Sequence, residues 1–346
     1  MATESLRVLI AGGGTGGHII PALAVARELA DHHHAEVRFV GTARGLENRL
    51  VPAAGFPLDL IEVGQLNRVS LATKIKTVAA LPLSVLACTA LLKKFQPHIV
   101  FGVGGYASGP AMMAAIATRT PLVIFEPNAI PGMANRIVGR WVTAAAVNFP
   151  ATRSHFRNAH VTGIPVRPEF FHLPALSASA PPHLLVFGGS QGARIFNQTL
   201  PQIAPTLLEA IPGLTILHQC GARHLEQTQQ AYKQSMREHW PGSWQVQPFL
   251  DDMPQRFAAA SLVLCRSGAS TMAELAAAAR PSLLVPFPLA ADDHQRRNAE
   301  VFVEAGAAVL LPESDLTPEL LLAELLHLLL DFAQLQQMSH AARTLA

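Results

Sequence analysis

Short apolar runs of three to five residues alternate along this chain with longer stretches rich in Ala and Leu. That alternation predicts parallel strands joined by helices. In the first half, Arg7–Ala11, Val37–Val40, Ile99–Phe101 and Leu122–Phe125 read as strands. A glycine-rich turn follows the first of them, and Pro21–Ala30 reads as a helix. Pro21 suits a first helical turn, where a missing N–H has no partner to lose. After the small-residue and proline stretch Ser177–Pro182 the pattern restarts: His183–Phe187 as strand, Gly188–Gly192 as turn, then a helix. Later strands are predicted at Leu214–His218, Leu262–Cys265, Leu283–Val285 and Ala308–Leu311. The expected fold class is α/β, with two doubly wound parallel-sheet domains that each open with strand, glycine turn and helix. The boundary is expected between residues 162 and 163, with a hinge within 150–170. Ligands of such sheets bind beyond the carboxyl ends of the strands, so the site is expected in a cleft between two facing domains.

Composition narrows this only in places. A chain of 346 residues, half of them hydrophobic and 14% charged, can build two cores and is unlike a disordered protein. Cys88, Cys220 and Cys265 are scattered, with no CxxC or Cys/His spacing, so they read as small core residues rather than a disulfide framework or a zinc site. Met1–Arg7 is polar and runs straight into a strand without an apolar leader, so a cytosolic protein is expected. The net charge of +2 hides an asymmetry. Residues 1–162 carry 15 Lys and Arg against 8 Asp and Glu, and the rest carry 11 against 16. A basic first half points to anionic lipid, phosphate or nucleic acid, with ordinary surface scatter as the alternative. Residues 74–94 place the apolar run Thr77–Leu92 between lysines and contain Pro82. The run is short for a spanning helix; a helix lying on a membrane surface and a buried core helix both fit.

The candidate chemistry sits in the turns. Gly12-Gly13-Gly14-Thr15-Gly16-Gly17-His18 follows a strand and precedes a helix, where glycine lets backbone approach a phosphate and a helix N-terminus offers unpaired N–H groups. The pattern also satisfies the dinucleotide fingerprint. That fingerprint needs a carboxylate at the end of the second strand, and Phe39-Val40-Gly41-Thr42-Ala43 has none, which argues against a nicotinamide oxidoreductase. No P-loop lysine follows the glycines either. His18, at the mouth of the turn, is a candidate general base. A second turn, Gly102 to Pro110, contains Gly104, Gly105 and Tyr106 and offers a second set of N–H groups to an anion. The third, Gly188–Ala193, heads the second half. Arg266–Glu274 follows a strand and opens an Ala-rich helix that Ser270 or Thr271 can cap, with Glu274 a turn further on, where a carboxylate can accept from both hydroxyls of a ribose. Glycine turns are common in α/β folds; it is their number in one chain that points to phosphate-bearing ligands.

Together these motifs resemble one family closely: the bacterial transferases that add N-acetylglucosamine to undecaprenyl-diphospho-MurNAc-pentapeptide (lipid I), giving lipid II for peptidoglycan. The resemblance runs over nearly the whole chain, through GGTGGH at 13–18, GVGGYASGP at 102–110, EPN at 126–128, GIPVR at 163–167, GGSQGARIFNQTLP at 188–201, FLDDM at 249–253, RSGASTMAE at 266–274 and DDHQRRNA at 292–299. Pro127 and Ile164 depart from it, where the family usually has Gln and Asn. The resemblance implies a GT-B fold of two Rossmann-like domains, acceptor on the first and UDP-GlcNAc mainly on the second, with a last helix packing back on the first domain. It implies that Thr15, Gly16 and Gly17 face the diphosphates and sugar, and that Gly13, Gly14, Gly104, Gly105 and Tyr106 form the loops at the acceptor diphosphate. Asn128 and Arg167 contact the donor, Ser190 bonds a donor phosphate, Leu250 borders the uracil, and Gln295 touches the GlcNAc hydroxyls. Ala269, Ser270, Thr271, Met272, Ala273 and Glu274 wrap the nucleotide, with Glu274 on the ribose.

The chemistry so implied is a single inverting displacement at the anomeric carbon, with His18 as base and Glu126 as second choice. Asp251-Asp252 and Asp292-Asp293 fall in nucleotide or sugar contacts, so neither metal nor cofactor is expected. The implied setting is peripheral, on the cytoplasmic face of the inner membrane. Lipid I, cell-wall synthesis proteins and division proteins are the expected partners, and no nucleic acid is. A diacylglycerol glycosyltransferase, a UDP-GlcNAc 2-epimerase and a non-catalytic membrane adaptor are the alternatives; the adaptor leaves the second half's nucleotide motifs without a purpose.

Overall fold

The structure, a computed structural model, describes residues 5–14, 16–63, 71–235 and 242–346, and of residues 71–78 only the backbone. The chain divides into two compact units, Met1–Pro165 and Val166–Ala346. Gly163, Ile164 and Pro165 therefore belong with the first unit.

In the first unit the described strands are β1 (Arg7–Ala11), β2 (Glu36–Gly41), β3 (Leu58–Leu60), β4 (Ile99–Gly102), β5 (Leu122–Glu126), β6 (Ala144–Val147) and β7 (Ala159–Val161). The helices between them are α1 (Gly16–His33), α2 (Glu47–Ala53), α3 (Leu71–Phe95), α4 (Gly109–Thr118) and α5 (Met133–Val138). The strands form one parallel sheet in the order β3-β2-β1-β4-β5-β6-β7. The order reverses between β1 and β4, which is where a doubly wound sheet opens a crevice at its carboxyl edge. The turns after β1 and β4 both lie there.

The second unit repeats the scheme. Its described elements are β8 (His183–Phe187), α6 (Arg194–Ala210), β9 (Thr215–Gln219), α7 (Leu225–Ser235), β10 (Ser243–Gln247), α8 (Met253–Ala259), β11 (Leu262–Cys265), α9 (Ala269–Ala278), β12 (Ser282–Leu284), α10 (His294–Glu304), β13 (Ala308–Leu310), α11 (Pro318–Leu330) and α12 (Phe332–Arg343). The sheet is parallel in the order β10-β9-β8-β11-β12-β13, and its reversal puts the ends of β8 and β11 side by side. Its central strands β8 and β11 are almost wholly apolar because both faces are covered. Leu184 and Val186 of β8 join the core that includes Phe196, Leu200 and Leu325, while Leu185 and Phe187 join the core on Phe257, Met272 and Phe302.

Several local expectations change. Helix α1 starts at Gly16, so Pro21 is its sixth residue rather than in its first turn. Its ring is buried with Ile19, Ala22 and Ala26, and that packing outweighs the lost N–H. Helix α9 starts at Ala269 on an extended Gly268 with no side-chain cap, so Ser270 and Thr271 lie inside its first turn and neither caps it. Strand β9 runs one residue later than expected, because Gln219 still pairs with Phe187 and Gln247. Helix α12 packs on α9 and α11, with Leu335, Met338 and Ala342 buried. Helix α3 buries Ser84, Cys88 and Leu92 at every fourth position, while Leu83 and Leu86 stand 71% and 63% exposed. All three cysteines are buried and free.

Candidate functional site

Each unit gathers polar side chains at the reversal of its sheet. In the first unit, His18 is the third residue of α1, so its ring reaches back over the turn that precedes the helix. The ring faces the second turn: a Cβ placed on Gly104 would stand 3.3 Å from His18 Cδ2 and 3.4 Å from Asn135 Nδ2, and one on Gly105 would strike the Gly13 carbonyl oxygen. Gly104 and Gly105 have φ of +84° and +80°, a conformation that suits glycine, and only glycine leaves the room. Gly14 packs in the same way on the ring of Tyr106, whose hydroxyl is 3.1 Å from Thr42 Oγ1.

Glu126 ends β5 and is buried. Its Oε1 accepts from the N–H and the side-chain amide of Asn128, and its Oε2 from the Gly132 N–H and Asn135 Nδ2, all at 3.0–3.2 Å. Burial pushes its carboxyl up from the ordinary value and the four hydrogen bonds pull it back. A carboxylate so occupied acts as a clamp: it shapes the entry to α5 and aims Asn135 at the His18 side of the site. Thr152 Oγ1 donates to the Asn128 and Ala129 carbonyls and Asn148 Nδ2 to that of Pro127, so the segment is pinned on its other side too.

In the second unit, Gln219 at the end of β9 joins two of the expected elements. Its Nε2 donates to the Gly189 carbonyl and its Oε1 accepts the Leu250 N–H, both at 2.8 Å. Ser190 stands exposed on the turn so held. Arg266 is buried between the Phe196 and Phe287 rings, donates to the Val285 and Pro286 carbonyls at 3.0 Å and pairs with Glu313, which fixes the turn between β11 and α9. Ser267 Oγ donates to the Gln295 carbonyl, while the Gln295 side chain accepts the Phe287 N–H at 2.9 Å. Glu274, one turn into α9, has its carboxyl pushed up to about 7 by burial, with Arg167 opposing. Ser270 Oγ is buried in the same turn without a hydrogen-bond partner. Arg167 lies over the Phe170 ring.

The expected residues thus fall into two groups. Gly13, Gly14, Gly16, Gly17, His18, Gly104, Gly105, Tyr106, Glu126 and Asn128 gather in the first unit. Arg167, Ser190, Leu250, Gln295 and the residues of α9, Ala269 through Glu274 with Met272 in the core, gather in the second. Thr15 lies outside the described residues. Three residues that hold these groups were not singled out by sequence: Glu47, Asn135 and Gln219. Asn135 had a signal, since it sits nine residues beyond Glu126 in the same motif region. Glu47 had only the convergence of Gly13, Gly41 and Gly45 on one carboxyl group.

Comparisons with known proteins follow the same division. The model of the glycosyltransferase family 28 N-terminal domain matches residues 8–147, and that of the family 28 C-terminal domain matches residues 183–346. A UDP-N-acetylglucosamine--N-acetylmuramyl-(pentapeptide) pyrophosphoryl-undecaprenol N-acetylglucosamine transferase from Solibacter usitatus is 46% identical, over 92% of this chain and 87% of its own length. The crystal structure of Acinetobacter baumannii MurG superposes with a TM-score of 0.81 at 32% identity, covering 98% of this chain and 95% of that one. A putative UDP-N-acetylglucosamine 2-epimerase from Listeria monocytogenes, 13% identical with a TM-score of 0.66 over 99% of this chain and 93% of its own, shares the fold alone.

Proposed function

We propose, from the premise that this chain belongs to glycosyltransferase family 28 and has the GT-B fold, that it transfers N-acetylglucosamine from UDP-GlcNAc to the MurNAc 4-hydroxyl of lipid I, forming lipid II. The observation that carries this is the likeness, over nearly the full length of both chains, to a transferase named for that reaction. The site chemistry supports it. The second unit has the parts of a sugar-nucleotide site: a glycine turn and a helix N-terminus for the diphosphate, the orphan Ser270 hydroxyl beside them, and Glu274 for the ribose hydroxyls. Arg167, Ser190, Leu250 and Gln295 complete the donor site in this reading. The acceptor binds on the first unit.

The reaction is one inverting displacement. The acceptor 4-hydroxyl attacks the anomeric carbon, His18 takes the hydroxyl proton, the bond to UDP breaks, and a β linkage forms. The turn N–H groups and the start of α9 stabilise the charge that develops on the leaving UDP. Glu126 has all four of its acceptor positions filled by protein donors, which favours His18 as the base and gives Glu126 the role of holding Asn128 and Asn135.

The acceptor is a lipid, so the first unit meets the membrane surface. Among the described residues no helix is long and apolar enough to cross a membrane. Exposed Leu83 and Leu86 on α3, Met133 and Ile137 on α5, and Trp141 in the turn after it offer apolar contacts in the basic half of the chain. The deciding experiment measures UDP release from UDP-GlcNAc with and without a soluble lipid I analogue, with the product weighed by mass spectrometry. Acceptor-dependent release and one added GlcNAc are expected. Turnover of UDP-GlcNAc only with a different acceptor, or its epimerisation, would overturn the reading.

A further inference from the structure

Glu47 opens the short helix α2, is fully buried, and has no part in the reaction as described above. Carboxylates are almost never buried to this degree unless their oxygens are satisfied. Here Oε2 accepts the Gly14 N–H at 2.7 Å, and Oε1 accepts both the N–H and the hydroxyl of Thr42 at 2.9 Å. The directions of the bonds follow. A carboxylate only accepts, so the single Thr42 hydroxyl proton goes to Glu47, and Tyr106 must donate its own proton to Thr42 Oγ1, 3.1 Å away. The path from Glu47 therefore runs two ways, directly to the glycine turn after β1 and through Thr42 to the tyrosine of the turn after β4. The chain is shaped around this carboxyl group. A Cβ on Gly13, Gly41 or Gly45 would collide with it, at 2.2, 2.5 and 1.9 Å from its nearest side-chain atom. Gly13 in turn touches Gly105, which faces the His18 ring.

We infer that Glu47 is a positioning residue for the acceptor side of the site: it sets the Gly13–Gly14 turn and Tyr106, and with them the neighbours of His18. The Gly14 N–H is committed to this brace, so the acceptor diphosphate is held by other donors. This rests on the function proposed above.

The test is Glu47→Gln in the full chain. Glutamine keeps the size but turns one acceptor into a donor, which must face the Gly14 N–H or the Thr42 pair. With a buried donor left unmatched, kcat/KM for the soluble lipid I analogue should fall about tenfold or more, while the UDP-GlcNAc dissociation constant stays unchanged. The Gly14 amide proton, shifted downfield by a short charge-assisted bond, should move upfield. Val51→Ala, buried on the same helix, is the control for simple destabilisation and should keep the wild-type kcat/KM. A folded Glu47→Gln with wild-type kcat/KM would overturn the inference, as would an equal loss in Val51→Ala. If Glu47→Gln does not fold, Thr42→Val breaks the branch to Tyr106 with a smaller change in shape; it should lower kcat/KM about threefold, and no change would count against the brace. Absence of acceptor-dependent UDP release in the wild-type chain would remove the proposed function, whereas the Gly14 amide shift would still decide whether Glu47 holds the turn.

Discussion

Both units open with a strand, a glycine turn and a helix, yet the two turns are held by opposite ends of the peptide group. In the first unit a buried carboxylate, Glu47, takes the N–H of Gly14. In the second a neutral amide, Gln219, gives its proton to the carbonyl of Gly189, which the Gly192 N–H also reaches. A turn held by its carbonyl keeps its N–H groups for an anion and has no fixed negative charge beneath it. A turn held by its N–H has lost a donor and acquired a carboxylate. The second arrangement suits tight capture of a nucleotide diphosphate. The first suits the fixing of a side chain, and the side chain beside it is His18. On the function proposed above, the same fold element serves binding in the second unit and orientation in the first.

The strongest way to break this division is His18→Ala. Loss of a general base costs roughly a hundred- to ten-thousandfold in rate, and the donor residues proposed above belong to the second unit. Turnover with the lipid I analogue should collapse by that order while calorimetry returns an unchanged UDP-GlcNAc affinity. Turnover close to wild type would remove His18 as the base, and a parallel loss of donor affinity would mean that the two roles are not divided by unit.

Gln219→Leu attacks the other turn. The substitution strands the Leu250 N–H, which is buried, and removes one of the two bonds to the Gly189 carbonyl. Leaving a buried donor unmatched costs about 1–3 kcal/mol, so UDP-GlcNAc affinity should fall roughly ten- to a hundredfold. The Gly14 amide resonance belongs to the other brace and should not move. An unchanged donor affinity in a folded Gln219→Leu would show that the turn holds its shape without the amide.

The two braces also mark where sequence reading stops. The central strands were legible because they are short apolar runs: β8 alternates its side chains between two cores, and no polar position interrupts Leu184–Phe187, whereas β3, β6, β7 and the polar β10 were not read from the sequence. The turns were legible because glycine is needed where a close backbone approach and a positive φ coincide, as at Gly104 and Gly105. Glu47 was not, because it lies in Arg44-Gly45-Leu46-Glu47-Asn48-Arg49, which looks like a solvated charged segment, and its partner Gly14 is 33 residues away. Gln219 reaches Gly189 and Leu250 across 30 and 31 residues. Pairings of that kind depend on which strand ends lie side by side, and strand order is a property of the assembled sheet. Pro21 failed for a related reason: local propensity placed it in a first turn, while the buried face it shares with Ile19 and Ala22 determined where it went. Glu274 was readable as a carboxylate on a helix, but its depth of burial, and hence its titration, was not.

That titration supplies the mildest test of the comparison, since it concerns the second unit alone. Burial raises the Glu274 carboxyl to about 7, with Arg167 pulling it down by less. In the unfolded chain the group titrates at its ordinary 4.5, so between that pH and about 7 the folded protein holds a proton that the unfolded chain has lost. Rising pH through this window therefore reduces the group's contribution to stability. Donor binding has the opposite sign. Ribose hydroxyls donate to the ionised carboxylate, so UDP-GlcNAc favours the deprotonated form and expels the proton as it binds. Affinity should rise as pH goes from 6 to 8, by up to about tenfold, and binding near neutrality should release a fraction of a proton, seen as a buffer-dependent heat in calorimetry. Glu274→Gln should bind less tightly at pH 8 and show a flat profile. If the wild-type profile is itself flat, the ribose is not held by an ionised Glu274, and the second unit's claim to a charge-free turn would have to stand without a charged partner at the other end of the nucleotide.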